Sequence, residues 1–248
     1  MFAEERFAKI IEAVNQQKSV KLSELCVLLD TSESTIRRDL NLLADKGMLV
    51  KVHGGAIALN ESFTQTENNV EEKSKLFVEE KDAVAKYAAS LIEDDDFVFI
   101  DAGTTTEKMI DYILPKRVSF VTNGFIHAKK LAQKNFKVYI TGGEVKTATE
   151  AIVGAECVLG IQKYNFTKCF LGVNGISVSG GFSTPDKNEA GVKTAAISRS
   201  MKSYVLADHS KFDKISSVTF AELKKAEIIT DRVPDKKYFG KTSIKEVV

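Results

Sequence analysis

Along the first sixty positions the apolar residues recur at helical spacing in short blocks. Phe7, Ile10, Ile11 and Val14 mark one face of a first amphipathic helix that ends near Asn15–Lys18. Val20–Leu22 is extended and leads to Ser23, an N-cap candidate for a helix of two turns carrying Leu25, Leu28 and Leu29. After a turn at Asp30–Thr31, Ser32 is placed to cap a third helix, with Ile36, Leu40 and Leu43 as its inner stripe and Gly47 as its stop. Leu49–Val52 and Ala56–Leu59 then flank His53-Gly54-Gly55, where adjacent glycines supply the positive φ that a tight hairpin needs. Three short helices, the last two joined by a tight turn, followed by a hairpin, make a winged helix-turn-helix pattern. A plain three-helix module has the same periodicity.

The pattern changes at residues 60–75, a polar run without clear period that reads as a linker. Beyond it an Ala-rich helix is predicted over Phe77–Ile92. Strands are predicted at Phe97–Asp101, Val118–Thr122, Lys137–Thr141, Lys168–Val173, Tyr204–Ala207 and Glu227–Thr230. Helices fall between them near Glu107–Ile113, Phe125–Lys134, Glu156–Gln162 and Asp186–Met201. Such alternation predicts an α/β domain with a mostly parallel sheet covered by helices. The chain therefore divides into a winged helix-turn-helix at 1–59, a linker at 60–75 and an α/β domain at 76–248.

Composition narrows the function classes. The chain has 248 residues, 44% of them apolar and 28% charged, which excludes disordered, collagenous and disulfide-scaffold classes. With 35 Lys+Arg against 34 Asp+Glu, a basic coat is excluded as well. A local basic patch is not, because the field depends on where the charges sit. Cys26, Cys157 and Cys169 lie far apart, an odd count that favours a reducing compartment and gives no zinc frame. Without a signal-like N-terminus or an apolar run near the roughly 18 residues of a membrane span, a cytoplasmic protein with no membrane partner, metal or cofactor is expected.

On the third helix, with Ile36 facing inward, Arg38 lies at about 200°, Ser34 near 160° and Asn41 near 140°, while Arg37 and Thr35 flank that face. Polar groups and arginines on the first turns of such a helix suit base edges in a major groove, and arginine can bond guanine O6 and N7 with both arms. Lys51 and His53 on the hairpin are candidates for the adjacent backbone or minor groove. A solvated face pairing Arg37 or Arg38 with Glu33 or Asp45 is the competing reading. The stretch Thr31–Ala56, TSESTIRRDLNLLADKGMLVKVHGGA, resembles the DNA-binding signature of the DeoR family of bacterial transcriptional regulators. That resemblance implies operator contacts from Ser34, Thr35, Arg37 and Arg38. Lys51 departs from the arginine common in the family, a change that a phosphate contact tolerates better than a bidentate one.

In the second domain FVFIDAGTTTEKM runs a buried strand into Asp101, turns at Ala102-Gly103 and starts a helix at Thr104, Thr105 and Thr106. Hydroxyls and free N–H groups at that start favour an anion, although a plain strand-to-helix turn has the same letters. Asn123 and Gly142-Gly143 follow the next two strands, at the edge where open sheets bind ligands. Asn123 fits a sugar hydroxyl or a helix cap, and Gly142-Gly143 fits a ligand approach or a turn. Thr184 and Pro185 predict a helix start, beyond which Glu189 and Lys193 are four apart, as in a surface ion pair or a pair meeting sugar hydroxyls. Lys211 lies just past another strand end.

This half is similar to the DeoR effector domain, whose fold is like that of ribose-5-phosphate isomerase. The matching pieces are Asp101–Thr105, Val121–Asn123, Gly142-Gly143, Phe170–Gly172, Glu189 with Lys193, and Ala207-Asp208 with Lys211-Phe212. The resemblance implies a phosphorylated sugar as effector, surrounded by the Asp101–Thr105 turn and Lys211. Segments Gly142–Gly154 and Phe182–Lys193 look most like the fructose-operon repressors of the family, which leans toward fructose 1-phosphate and leaves tagatose 6-phosphate open. The expected protein is a homo-oligomeric repressor that binds double-stranded operator DNA and leaves it on binding the sugar phosphate. A sugar-phosphate isomerase using Asp101, Glu189 and Lys193 for proton transfer is the alternative, and the N-terminal module weighs against it.

Overall fold

The computed structural model describes every residue except 1, 2, 18, 47, 53, 59–61, 65–68, 115, 116 and 248. The chain divides into two compact units, Met1–Ser62 and Phe63–Val248. His53, Gly47 and Leu59, to which the sequence assigns a DNA contact, a helix stop and a strand end, lie outside the described residues.

In the first unit α1 (Ala3–Gln17) is followed by β1 (Ser19–Lys21), α2 (Leu22–Leu29), α3 (Glu33–Asp45), β2 (Val50–Val52) and β3 (Gly55–Ile57). The apolar faces of the three helices meet in one core around Ile10, Leu25, Ile36, Leu40 and Leu43. Ser32 caps α3 as its sequence position predicts, accepting from the Thr35 N–H. Ser23 does not cap α2, which starts a residue earlier at Leu22. There the Glu24 carboxylate accepts from the Lys21 N–H at 2.9 Å, the stronger charged acceptor replacing the serine. Asp30 takes the left-handed conformation that turns α2 into α3. The wing hairpin is wider than its sequence suggests, because β1 pairs with β3 to give an antiparallel sheet ordered β1-β3-β2. Gly55 is required by that third strand: a Cβ there would stand 2.2 Å from the Val20 carbonyl oxygen.

The second unit opens after β4 (Ser62–Thr64) with α4 (Val70–Lys75) and α5 (Val78–Ser90). The part of the expected linker at Val70–Lys75 is thus a helix, capped by the Asn69 side chain, which accepts from Glu72 N–H at 2.8 Å. Next come β5 (Phe97–Ile100), α6 (Thr104–Tyr112), β6 (Ser119–Thr122), α7 (Phe125–Gln133), β7 (Lys137–Ile140), β8 (Glu144–Lys146), β9 (Ala151–Val153) and α8 (Ala155–Gln162). Then follow β10 (Phe166–Gly172), β11 (Gly175–Ser177), β12 (Gly181–Thr184), α9 (Lys187–Ser198), β13 (Ser200–Ala207), β14 (Lys214–Ser216), β15 (Val218–Ala221), β16 (Glu227–Thr230) and β17 (Ile244–Glu246). Seven strands form one parallel sheet ordered β17-β16-β13-β10-β5-β6-β7. Apolar clusters lie on its two faces, one around Phe99, Phe166 and Val205, the other around Ile100, Phe120 and Phe170.

Chain order reverses beside β5. β6 and β7 stack to one side of it, while β10, β13, β16 and β17 stack to the other. The crevice at the strand C-termini between β5 and β10 is therefore the place an open parallel sheet offers to a ligand.

Candidate functional site

The recognition face of the first unit is built on α3. Its inner stripe holds Ile36, Leu40 and Leu43 in the core, which leaves Ser34, Arg37, Arg38 and Asn41 exposed and Thr35 half-buried. Ser32 links both neighbouring hydroxyls, at 3.1 Å to Ser34 and 2.9 Å to Thr35. Arg37 pairs along the helix with Glu33 at 3.1 Å, an exposed contact worth little against a phosphate. Lys51 on β2 donates to Asn41 at 2.6 Å, so wing and helix present one continuous polar surface. The acid on this helix is turned away: Asp39 is buried and held by both arms of Arg6 on α1, at 2.5 and 3.1 Å. That pair fixes α3 on α1 and keeps a carboxylate off the exposed face that carries Arg37 and Arg38.

The second unit has its pocket at the chain reversal. About 670 Å³ of space, part of it open to solvent, is lined by Ala102–Thr105 after β5, Gly172–Asn174 after β10, and Asp208 and Lys211 after β13. Lys73, Lys81, Thr149, Glu189 and Lys193 complete it. Of the sequence-predicted residues, Gly103, Thr104, Thr105, Glu189, Lys193 and Lys211 come together here, with Asp101 directly beneath. Gly142 and Gly143 do not line the pocket, because they follow β7 at the far edge of the sheet.

The floor of the pocket is a buried polar lattice. Asn123 neither caps its helix nor lines the cavity; its amide accepts from Ala102 N–H at 2.9 Å and donates to the Ile152 carbonyl at 3.2 Å. Thr106 turns its hydroxyl back to the Asp101 carbonyl at 2.7 Å and lies 3.1 Å from His127 Nε2. Burial pushes the His127 imidazole down to about 4, so it is neutral there. The free N–H groups of the first α6 turn and the hydroxyls of Thr104 and Thr105 are left facing the pocket.

Glu189 and Lys193 are not a surface ion pair, since both are buried and each has another partner. Lys193 Nζ pairs with Asp101, which also accepts from Gly172 N–H at 3.0 Å. Burial pushes the Asp101 carboxyl up, against the pull of Lys193. Glu189 accepts from Lys146 at 3.0 Å and Thr149 at 2.8 Å. The helix bearing both starts two residues later than predicted. Asp186, not Thr184, is its cap, accepting from Asn188 and Glu189 N–H at 2.7 and 3.0 Å, because Thr184 closes β12 and Pro185 lies before the cap.

Two lysines of the pocket, Lys73 and Lys81, are absent from the sequence reading. Lys81 projects from α5 among Val84, Ala85 and Ala88 and donates to the Lys73 carbonyl. Its ammonium is pushed down to about 8, first by burial and then by Lys211, Lys108 and Lys73, with Asp208 pulling the other way. A signal existed in the sequence: 81, 84, 85 and 88 share one helical face, so a lysine occupies an apolar stripe. Asp208 Oδ2 is buried, accepts no hydrogen bond among the described residues, and lies 3.6 Å from Lys211 Nζ. Lys73, Lys81 and Lys211, lining the same pocket as the helix-start residues Gly103–Thr105, suit a multiply charged anion, and Glu189, Thr149 and Asn174 suit hydroxyls.

Comparison with known proteins bears on both units. A model described as the DeoR-like helix-turn-helix domain matches residues 6–62, and one described as the DeoR C terminal sensor domain matches 76–232. The HTH-type transcriptional regulator FruR of Bacillus subtilis (strain 168) is 42% identical over 100% of this chain and 99% of its own. A lactose phosphotransferase system repressor of Staphylococcus epidermidis is 36% identical over 92% of this chain and 91% of its own. Among solved structures, a ribose 5-phosphate isomerase from Methanocaldococcus jannaschii is similar at 15% identity over 53% of each chain, with a TM-score of 0.41. Among the described residues no helix is long and apolar enough to cross a membrane.

Proposed function

The chain belongs to the DeoR family of bacterial transcriptional regulators, and from that premise we propose that it represses a sugar-utilisation operon until a phosphorylated sugar occupies the pocket of its second unit. The observation that carries the effector reading is that Lys73, Lys81 and Lys211 line one pocket with the α6 start and with Glu189, Thr149 and Asn174. The phosphate sits on the ammonium side and the sugar hydroxyls on the other. Fructose 1-phosphate is the effector favoured by the resemblance of Gly142–Gly154 and Phe182–Lys193 to fructose-operon repressors.

At the operator, Arg38 and Arg37 read base edges, Ser34, Thr35 and Asn41 flank them, and Lys51 with His53 meets the backbone beside the wing. Two or more copies set the spacing of these helices along the duplex, so the working form is a homo-oligomer. The sugar phosphate relieves repression by binding the DNA-incompetent arrangement more tightly than the competent one. Enzymatic turnover is not part of this reading: of the groups proton transfer would need, Asp101 and Lys193 are paired with each other and Glu189 is held by Lys146 and Thr149.

The test is a thermal-shift panel on the full chain with fructose 1-phosphate, tagatose 6-phosphate, ribose 5-phosphate and their unphosphorylated sugars. A phosphorylated sugar raises the melting temperature as its concentration passes its Kd, and its unphosphorylated form does not. If none of the phosphorylated sugars shifts it, or if the free sugars act equally, the effector reading fails.

A further inference from the structure

Helix α4 is the first helix of the sensor unit, and two hydrogen bonds together with Lys73 tie it to the pocket. Val70 N–H donates at 3.1 Å to the Ala148 carbonyl. The next residue, Thr149, lines the pocket and bonds Glu189. Lys73 lines the pocket itself, and its carbonyl accepts from Lys81. Between α4 and α5 the chain turns at Phe77, whose φ of 52° is a left-handed conformation that bulky residues rarely take. The Phe77 ring stands edge-on to the His209 imidazole, centroids 5.2 Å apart.

His209 is itself fixed. Asp231 accepts from its backbone N–H at 2.7 Å, and Asp231 Oδ2 lies 2.7 Å from its Nδ1. It belongs to the 3-10 turn His209–Lys211, which carries Lys211 into the pocket. One short turn therefore holds a pocket cation at one end and the ring of a strained hinge at its start. A non-glycine residue keeps such a backbone only where its surroundings over-determine it, and here the Phe77 ring rests on His209, two residues from the pocket's Lys211.

We propose that α4 is a strap, pivoting at Phe77, whose seat on the sensor unit is fixed by the anion in the pocket. The idea rests on the sugar-phosphate reading above. Lys73, Lys81 and Lys211 line the pocket with Asp208 as the acid beside them, and a bound anion adds to the attraction that holds Lys73, and with it the strap, in place. The His209–Phe77 contact passes the position of the Lys211 turn to the hinge.

Hydrogen–deuterium exchange on the full chain tests this, with fructose 1-phosphate and inorganic phosphate as probes. In the parent protein the probe slows exchange of the Val70, Lys73 and Leu76 amides by about tenfold and slows Thr104–Thr106 as well. In Phe77→Gly, which takes φ near 52° without strain and has no ring, Thr104–Thr106 still respond and the strap amides do not. His209→Gln, which leaves the strap sequence intact, behaves likewise. If Thr104–Thr106 are protected in the parent while Val70–Leu76 are unchanged, the strap is refuted and the sugar-phosphate reading stands. If neither segment responds to either probe, both are refuted. Retention of strap protection in His209→Gln refutes the ring contact as the coupler.

Discussion

Ligand affinity depends on pH through Lys81, and the sign of that dependence follows from its surroundings. In the free protein its ammonium is pushed down to about 8 by burial and neighbouring cations. A bound phosphate supplies the opposite charge and moves it back toward the ordinary lysine range near 10.4. The ligand itself has its second phosphate pKa near 6, so above about pH 7 it stays a dianion and does not contribute to the trend. At about pH 7 roughly nine-tenths of Lys81 is charged before binding and at about pH 9 roughly one-tenth, so affinity falls ~tenfold, or ~1.4 kcal/mol, over that interval. Near pH 8 binding takes up about half a proton, read by titration calorimetry in buffers of different ionisation enthalpy. Fold stability runs the other way. A lysine whose folded pKa is lowered binds fewer protons in the folded state, so between about pH 8 and 10 the ligand-free protein gains stability from this residue as pH rises. Lys81→Met removes both slopes. Calorimetric affinity that is flat from pH 7 to 9, or an unchanged slope in Lys81→Met, refutes the reasoning.

Four further outcomes are expected. Arg38→Ala weakens operator binding by roughly 1–3 kcal/mol in a gel shift at fixed salt, whereas Lys51→Ala lowers the slope of log affinity against log salt by about one. Gly55→Ala drives a Cβ into the Val20 carbonyl and opens the wing sheet, so operator binding is lost while the thermal response to sugar phosphate persists. Lys193→Met leaves the Asp101 carboxylate buried without its counter-ion, and chemical denaturation shows a loss on the order of 3–5 kcal/mol, whereas Lys193→Arg loses less.

The readable parts of the sequence were those with local causes. The inner stripe of α3, the Ser32 cap and the six strands from Phe97 to Thr230 each follow from spacing within a dozen residues, and the structure has them within a few positions. β17 was missed because Ile244–Glu246 is three residues long, too short for alternation to register. The pocket was half legible for a different reason. Gly142-Gly143 and Asn123 were chosen as loops after strands, but only strand order reveals which strand ends are neighbours, and order is a long-range property. β10 and β13, seventy and more residues beyond β5 in the chain, supply the wall that β6 and β7 do not. Pairings across the fold were hidden likewise: Glu189 and Lys193 look like partners at helical spacing, yet Lys146 and Asp101 reach them first.

The apolar clusters keep to their own units: one runs from Ile10 to Ala58, and the other two hold residues from Val84 onward. An engineer can therefore graft a different operator-reading head at the Ser62–Phe63 boundary without repacking either interior. The sensor then becomes a portable module, and a reporter gene under a foreign operator would report on whatever sugar phosphate the pocket takes.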